Sequence, residues 1–253
     1  MLAQVAFISH ILCDLPTWPL KRLLLHMPRS KPSVLAAKRL QRTAQLRQRV
    51  ENTSQEDLGI EYFPPPEEKE RRWSVFVGFA VERFERWCQA LQPAHSDRGI
   101  AVIMPPLDVM MVWHTYLLNP GWATEDALRV SALKGLWKAG KAFAAALGMG
   151  LGQLLDIIPT NEDNRVQDWV SMTATPFDPF ESMTKLLEKT VICPKCDSVN
   201  STPFLCADGT GFLQLKFTRV CNNPTDDCFF NITHDALIRK HGFGYISLFY
   251  ISL

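Results

Sequence analysis

The chain has 253 residues, of which 47% are hydrophobic and 10% aromatic, and a formal net charge of +1. This length and composition allow a full hydrophobic core in one large or two small domains, and they exclude a chain that is disordered throughout. No stretch approaches the 18 consecutive apolar residues of a membrane-spanning helix, so we expect no transmembrane segment.

Basic residues are concentrated near the N-terminus. Residues 1–50 contain nine Lys or Arg, between Lys21 and Arg49, and a single acidic residue, Asp14. We therefore treat residues 1–58 as a basic N-terminal segment. A positive field of this kind steers proteins to nucleic acid or anionic membranes, although most such stretches are solvated helix faces.

The first twelve residues are apolar but lack the cationic region and the cleavage site of a secretory signal. An Arg-rich start is closer to a mitochondrial presequence, but Pro16 and Pro19 interrupt the early helix. We expect a cytoplasmic protein, with nuclear and mitochondrial locations as alternatives.

Helical periodicity predicts a helical core domain over residues 59–188, and the basic stretch 35–50 also fits a helix. After Pro64-Pro65-Pro66, apolar side chains recur on one stripe of a helix of about five turns. These are Trp73, Phe76, Val77, Ala80, Phe84, Trp87, Cys88 and Leu91. Val75 and Phe79 lie off the stripe, which indicates burial on a wider arc in the first half.

A second helix is predicted from Leu107 to Leu118, between two prolines and the turn at Asn119-Pro120-Gly121. It is apolar nearly all round, so Asp108 in its first turn needs a capping or charged partner. The remaining predictions are a linker over 161–179 anchored by Trp169, and helices over 124–138, 141–158 and 179–188.

Five of the seven cysteines fall within 36 residues, which in a chain without a secretion signal favours metal binding over disulfides. Cys193 and Cys196 have the two-residue spacing of a zinc knuckle, whereas Cys221 and Cys228 have six residues between them. We predict that these four bind a structural zinc ion, with His234 or Cys206 as substitutes for one of them. Four protein ligands leave no coordination position for a substrate.

Alternating residues 212–220 predict a strand that returns the chain to the first knuckle, and Thr233 can cap a short helix after the last cysteine. The predicted fold class is mainly α, a helical core domain followed by a small zinc-ribbon-like β segment over 189–240. Residues 241–253 form a short apolar tail that has the character of a shortened terminus.

The run from Met104 to Pro120 resembles the signature of the glycine-rich domain-containing proteins, a family of plants and fungi first defined as a domain of unknown function. The matching residues are Pro106, Leu107, Asp108, Val109, Trp113, His114, Leu118, Asn119 and Pro120. The later cysteines also look like the fungal branch. The glycine-rich tail that names the family is missing, so the resemblance implies a family but no reaction.

Three functions compete. The favoured one is a noncatalytic interaction or scaffold protein with a structural zinc site and an unknown protein partner. The second is nucleic-acid binding through Lys21 to Arg49 and the zinc module. The third is an Fe(II)/2-oxoglutarate-dependent dioxygenase, a label that some fungal relatives carry, with His95, Asp97 and either His234 or His241 as iron ligands.

Overall fold

The structure is a computed structural model of the chain, and it describes residues 34–60, 62–92, 95, 103–117, 120–129, 133–140, 162–223 and 227–241. Within these residues the protein is mostly helical, and small two-stranded sheets lie near its C-terminal end beside four clustered cysteines. The predicted fold class is confirmed at this level. The helix predicted over 141–158 lies outside the described residues.

The helices, in chain order, are α1 (Val34–Asn52), α2 (Gln55–Leu58), α3 (Lys69–Ala90), α4 (Leu107–Leu117), α5 (Pro120–Arg129), α6 (Glu162–Thr173), α7 (Pro179–Lys185) and α8 (His234–His241). Residues 134–140 form a further helical segment. The strands form two antiparallel hairpins, β1 (Glu188–Ile192) with β2 (Val199–Pro203) and β3 (Arg219–Val220) with β4 (Asn231–Ile232).

Helix α3 is the predicted helix after the three prolines, and it packs against α1, α4, α6 and α7. Val75 and Phe79 are buried along with most of the predicted stripe. The expectation that the first half is buried on a wider arc than the second is wrong, because five consecutive residues of the second half, 80–84, are buried. The charged residues Arg72, Glu82 and Arg83 are buried as well. Helix α3 is therefore enclosed on most sides and needs internal partners for its charges.

The two halves of α3 belong to two hydrophobic clusters. Phe76 and Phe79, in the first half, pack with α1, α2, α7 and the C-terminal hairpins. Phe84 and Trp87, in the second half, pack with α4, α5 and Trp169 of α6. The first cluster crosses both predicted domain boundaries, at 58/59 and at 188/189, because one continuous core joins the N-terminal helices to the cysteine-rich module.

Two helix predictions are wrong. The helix predicted to begin at Thr124 begins at Pro120, a residue that the sequence pattern assigns only to the end of the preceding helix. Proline is well tolerated at the first position of a helix, because its missing N–H is unpaired there in any case. The predicted linker over 161–179 contains α6, whose buried Trp169 and Thr173 occupy one face of an otherwise polar helix.

The strand predicted over 212–220 is also wrong, since only Arg219 and Val220 pair as β3. The side chain of Gln214 explains the difference. Its Oε1 accepts hydrogen bonds from the N–H groups of Cys206 at 2.9 Å and Gly211 at 2.8 Å, and its Nε2 donates to the Cys206 carbonyl at 2.9 Å. These bonds fold the segment into turns. A pattern of alternating apolar and polar residues does not reveal that a side chain forms the hydrogen bonds that a neighbouring strand would otherwise form.

Candidate metal centre

The first cysteine pair lies in the turn of the β1–β2 hairpin. Cross-strand pairing ends at Ile192 and Val199, so residues 193–198 form the connection. The Cys193 N–H donates to the Ser198 carbonyl at 2.9 Å, and the Asp197 N–H donates to the Cys193 carbonyl at 3.0 Å. Asp197 has a φ of 57°, a left-handed conformation that Asp tolerates better than most residues. This turn directs the side chains of Cys193 and Cys196 to the same side.

The second pair lies in the β3–β4 hairpin, and the hairpin explains its long spacing. The Cys221 N–H donates to the Phe230 carbonyl at 2.9 Å, and Asn223 forms an antiparallel bridge with Cys228. Cys221 and Cys228 are therefore diagonal neighbours on one face of the paired strands, whereas a knuckle brings its two cysteines together within one turn. Six intervening residues are compatible with one metal site because the pairing of the two strands brings both cysteines close together.

The four cysteine sulfurs converge on one point. All four Sγ atoms lie within 4.8 Å of one another, with 3.6 Å between Cys196 and Cys221 and 4.0 Å between Cys193 and Cys228. A disulfide needs about 2.05 Å, and these cysteines are free. Tetrahedral zinc with bonds of about 2.3 Å separates its sulfur ligands by about 3.8 Å. The sulfur spacing fits a four-coordinate thiolate site.

Polar groups outside the cysteines contact the sulfurs. The Ser198 hydroxyl lies 3.1 Å from both the Cys196 and the Cys221 sulfur, and Asn200 Nδ2 lies 3.7 Å from the Cys221 sulfur. The carboxamide oxygen of Asn200 also accepts from the Asn222 N–H at 3.1 Å. Such donors stabilise thiolates and orient metal ligands. Sequence reasoning missed both residues, although their positions just after the first knuckle were a usable signal.

The cysteines have unequal proton affinities. The Ser198 hydroxyl lowers the pKa of Cys196 to about 6, whereas burial raises the pKa of Cys193. The Phe230 N–H favours the Cys228 thiolate, but burial and the neighbouring sulfurs outweigh it and raise the pKa of Cys228 to about 11. A metal ligated by all four must displace protons from the weaker acids, so its affinity increases with pH.

Neither predicted substitute ligand belongs to the cluster. His234 begins α8, as expected from the Thr233 cap, but its Nε2 lies 2.8 Å from the Phe212 carbonyl and its ring packs on Phe217. Burial lowers the pKa of His234, which keeps the ring neutral. Cys206 lies in the turn that Gln214 organises. Among the described residues, the four-cysteine group is the set brought within reach of one ion.

The candidate iron site remains a prediction. His95 Nδ1 accepts from the Gln92 N–H at 3.1 Å, while Asp97 lies outside the described residues. His234 contacts Phe212, as described above. His241 is the last residue of α8.

Several of the described signature residues lie in or just before α4, which packs against α3. Asp108 is 1% exposed, and its Oδ2 lies 3.2 Å from Nη1 of Arg83, which is fully buried. The expectation of a charged partner for Asp108 is confirmed. Pro106, Val109 and Trp113 are buried around this pair, Leu107 is half-buried, and Pro120 begins α5. Leu118 and Asn119 lie outside the described residues. His114 is part of α4, but its side chain is not described.

The basic residues of α1 that the structure describes are partly engaged in ion pairs. Arg47 contacts Glu51 and Glu70, and Arg49 Nη1 lies 2.9 Å from Asp178 Oδ2. In the module, Lys195, Lys216 and Arg219 are exposed. Residues 1–33, which include Lys21, lie outside the described residues.

The cysteine-rich module is docked on α3 by apolar and charged contacts. The rings of Phe79 and Phe204 are 4.8 Å apart, and a Cβ at Gly78 would lie 2.6 Å from the side chain of Leu213. Lys189 of β1 bridges two carboxylates of α3, contacting Glu82 and lying 2.6 Å from Glu85 Oε2. Burial opposes the charge on Lys189, but the two carboxylates outweigh it and raise its pKa.

Among the described helices, none combines the length and the apolar character needed to cross a bilayer. No protein-family model matches the chain, and neither a curated protein nor a solved structure is significantly similar to it.

Proposed function

We propose that this chain is a noncatalytic interaction or scaffold protein in which a structural zinc ion holds the C-terminal module against α3. The observation that carries the proposal is the convergence of four cysteine sulfurs within 4.8 Å. Zinc suits an all-thiolate tetrahedral donor set, and four protein ligands leave no open position for a reacting group. The metal would act as a cross-link between two hairpins.

The small size of the hairpins supports a structural role for the metal. Strands β3 and β4 have two residues each, and an isolated two-stranded hairpin is marginally stable in water. Cys193, Cys221 and Cys228 are nevertheless part of the core that includes Phe76 and Phe79 of α3. Binding free energy of a structural zinc ion is folding free energy, so the ion would stabilise both the hairpins and their docking.

Membership of the glycine-rich domain-containing family is part of the proposal. Its support is that four of the signature residues, Pro106, Asp108, Val109 and Trp113, are buried, and that Asp108 pairs with Arg83 of α3. A motif of this kind specifies packing and needs no ligand. The burial of the motif favours a scaffold over a catalyst.

The test is elemental analysis of the purified chain for zinc and iron. We expect about one zinc and no stoichiometric iron per chain, and we expect Cys221→Ser to lose the zinc. Cys206→Ser is the matched control, because Cys206 is a half-buried cysteine of the same module outside the cluster. One iron per chain that His95→Ala removes would overturn the proposal in favour of the dioxygenase.

A further inference from the structure

The four clustered cysteines differ in their exposure to solvent. Three of them are at most 2% exposed, whereas Cys196 is half-buried. Cys196 lies in the first knuckle turn between two exposed residues, Lys195 and Asp197. Oxidation of a cysteine depends on how accessible its thiolate is. A dissolved oxidant therefore reaches Cys196 more readily than the other three cysteines.

The sulfur of Cys196 lies close to a cysteine of the other hairpin. Its Sγ is 3.6 Å from Cys221 Sγ, and the Ser198 hydroxyl lies 3.1 Å from both sulfurs. The hydroxyl thus contacts both members of this pair and holds them on one side of the cluster. A disulfide bond is about 2.05 Å long, so an approach of about 1.5 Å would join the two sulfurs.

We propose that Cys196 is an oxidation site for hydrogen peroxide, and that its oxidation replaces the zinc cross-link with a disulfide between Cys196 and Cys221. The inference rests on the proposed function, in which the cluster holds zinc. Cys196 belongs to the turn of the β1–β2 hairpin and Cys221 to the β3–β4 hairpin. The disulfide therefore joins the same two hairpins as the metal.

The reaction has two steps. The Cys196 sulfur attacks one oxygen of the peroxide, the O–O bond breaks and hydroxide leaves, which gives a sulfenic acid. The Cys221 thiolate then attacks the Cys196 sulfur, so that the S–S bond forms, the S–O bond breaks and a second hydroxide leaves. Each sulfur loses one electron, the peroxide gains both, and two protons from solvent convert the hydroxides to water. Loss of two of its four ligands releases the zinc ion.

The oxidised module should stay docked on α3. Its main contacts with α3 involve no sulfur atom, since Phe204 packs on Phe79 at 4.8 Å and Lys189 contacts two carboxylates. The new disulfide links residues 25 positions apart, and a disulfide stabilises a fold mainly by restricting the unfolded chain. Oxidation thus releases zinc and supplies another cross-link, whereas a chelator removes zinc and supplies none.

Peroxide treatment of the full, zinc-loaded chain tests this proposal. We expect a chromophoric zinc indicator to report release of the bound zinc, and peptide mapping by mass spectrometry to find a disulfide between Cys196 and Cys221. Thiol reductant with added zinc should reverse both changes. Cys206→Ser is the matched control and should respond like the natural chain, because Cys206 lies outside the cluster.

The zinc content measured before oxidation separates this proposal from the proposed function. A chain purified without zinc would contradict both, whereas a zinc-loaded chain that keeps its zinc under peroxide would overturn the oxidation site alone. A disulfide between Cys193 and Cys196 would also overturn it, because that bond leaves the hairpins unlinked.

Amide exchange tests the predicted docking of the oxidised module. Residues 189–240 should exchange at least about 10-fold more slowly in the oxidised chain than in a reduced chain treated with chelator, because only the oxidised chain retains a cross-link. Equal exchange rates in the two states would show that the disulfide does not take over the role of the metal, and would overturn the proposal.

Discussion

The cysteine-rich module and the α3–α4 interface both bury polar groups, but they stabilise them by different means. In the interface, the buried Asp108 carboxylate faces the buried Arg83 guanidinium, whose Nη2 also donates to the Phe177 carbonyl at 2.8 Å. In the module, four cysteine sulfurs lie within 4.8 Å of one another. One region contains its own counter-charge, and under the proposed function the other takes its counter-charge from a bound metal ion.

This difference predicts that the two regions respond to different perturbations. The module should depend on metal and pH, since thiolates clustered without a cation repel one another. The interface should be insensitive to chelators and should depend on the integrity of one ion pair. Helix α3 contacts both regions, so damage to one need not unfold the other if its own core is intact.

Metal removal should have the largest effect. Structural zinc in small domains contributes about 10 kcal/mol or more of apparent binding free energy at neutral pH, and the module has little core of its own to offset the loss. With a strong chelator, we expect amides in residues 189–240 to lose protection from hydrogen exchange while amides in α4 and α5 keep theirs. Uniform loss of protection across the chain would contradict the separation of the two regions.

Breaking the buried pair of Arg83 and Asp108 should have the second-largest effect on stability. Arg83→Ala leaves Asp108 buried without a partner, and removal of one member of a buried pair costs about 3–5 kcal/mol. We expect this loss in the free energy of unfolding measured by urea titration, with zinc content retained.

The matched control is the double variant Arg83→Met with Asp108→Leu. Burial raises the pKa of Asp108 and lowers that of Arg83, so each charge is costly to keep where it is. Replacement of both by apolar residues of similar size should recover most of the stability lost in Arg83→Ala. A double variant as unstable as the single one would mean that packing around Trp113, not charge, dominates the interface.

Much of this comparison was predictable from the sequence, and the missing parts have physical reasons. The long stripe of α3 and the need of Asp108 for a charged partner depend on local periodicity and polarity, which one sequence reveals. The sequence does not reveal which residue is that partner, because Arg83 lies 25 positions away and its contact with Asp108 depends on how two helices cross. Likewise, the hydrogen bonds from Cys206 and Gly211 to Gln214 fold the segment into turns where a strand was predicted. A pattern of alternating residues does not indicate these bonds.

The docking of the module should be more sensitive to Lys189 than to any exposed lysine. Lys189→Met leaves Glu82 and Glu85, which are neighbours on α3, without their shared cation from the module. We expect a loss of about 2 kcal/mol, less than for Arg83 because the Lys189 side chain keeps 12% exposure and Arg86 still contacts Glu82. Lys195→Met is the control, with no change expected, and an equal loss in both variants would count against the docking role.

The smallest change should come from Ser198→Ala, which removes the hydroxyl 3.1 Å from two sulfurs. Loss of an outer hydrogen bond typically weakens metal binding by 10–100-fold, and we expect about 10-fold at pH 7 by chelator competition. The Ser198 hydroxyl lowers the pKa of Cys196 to about 6, so in the variant this thiol binds a proton near neutrality that the metal must displace. The deficit should therefore shrink above about pH 9, where an unperturbed thiol is ionised in both proteins. A deficit that is constant across pH would mean that Ser198 positions the cysteines without affecting their protonation.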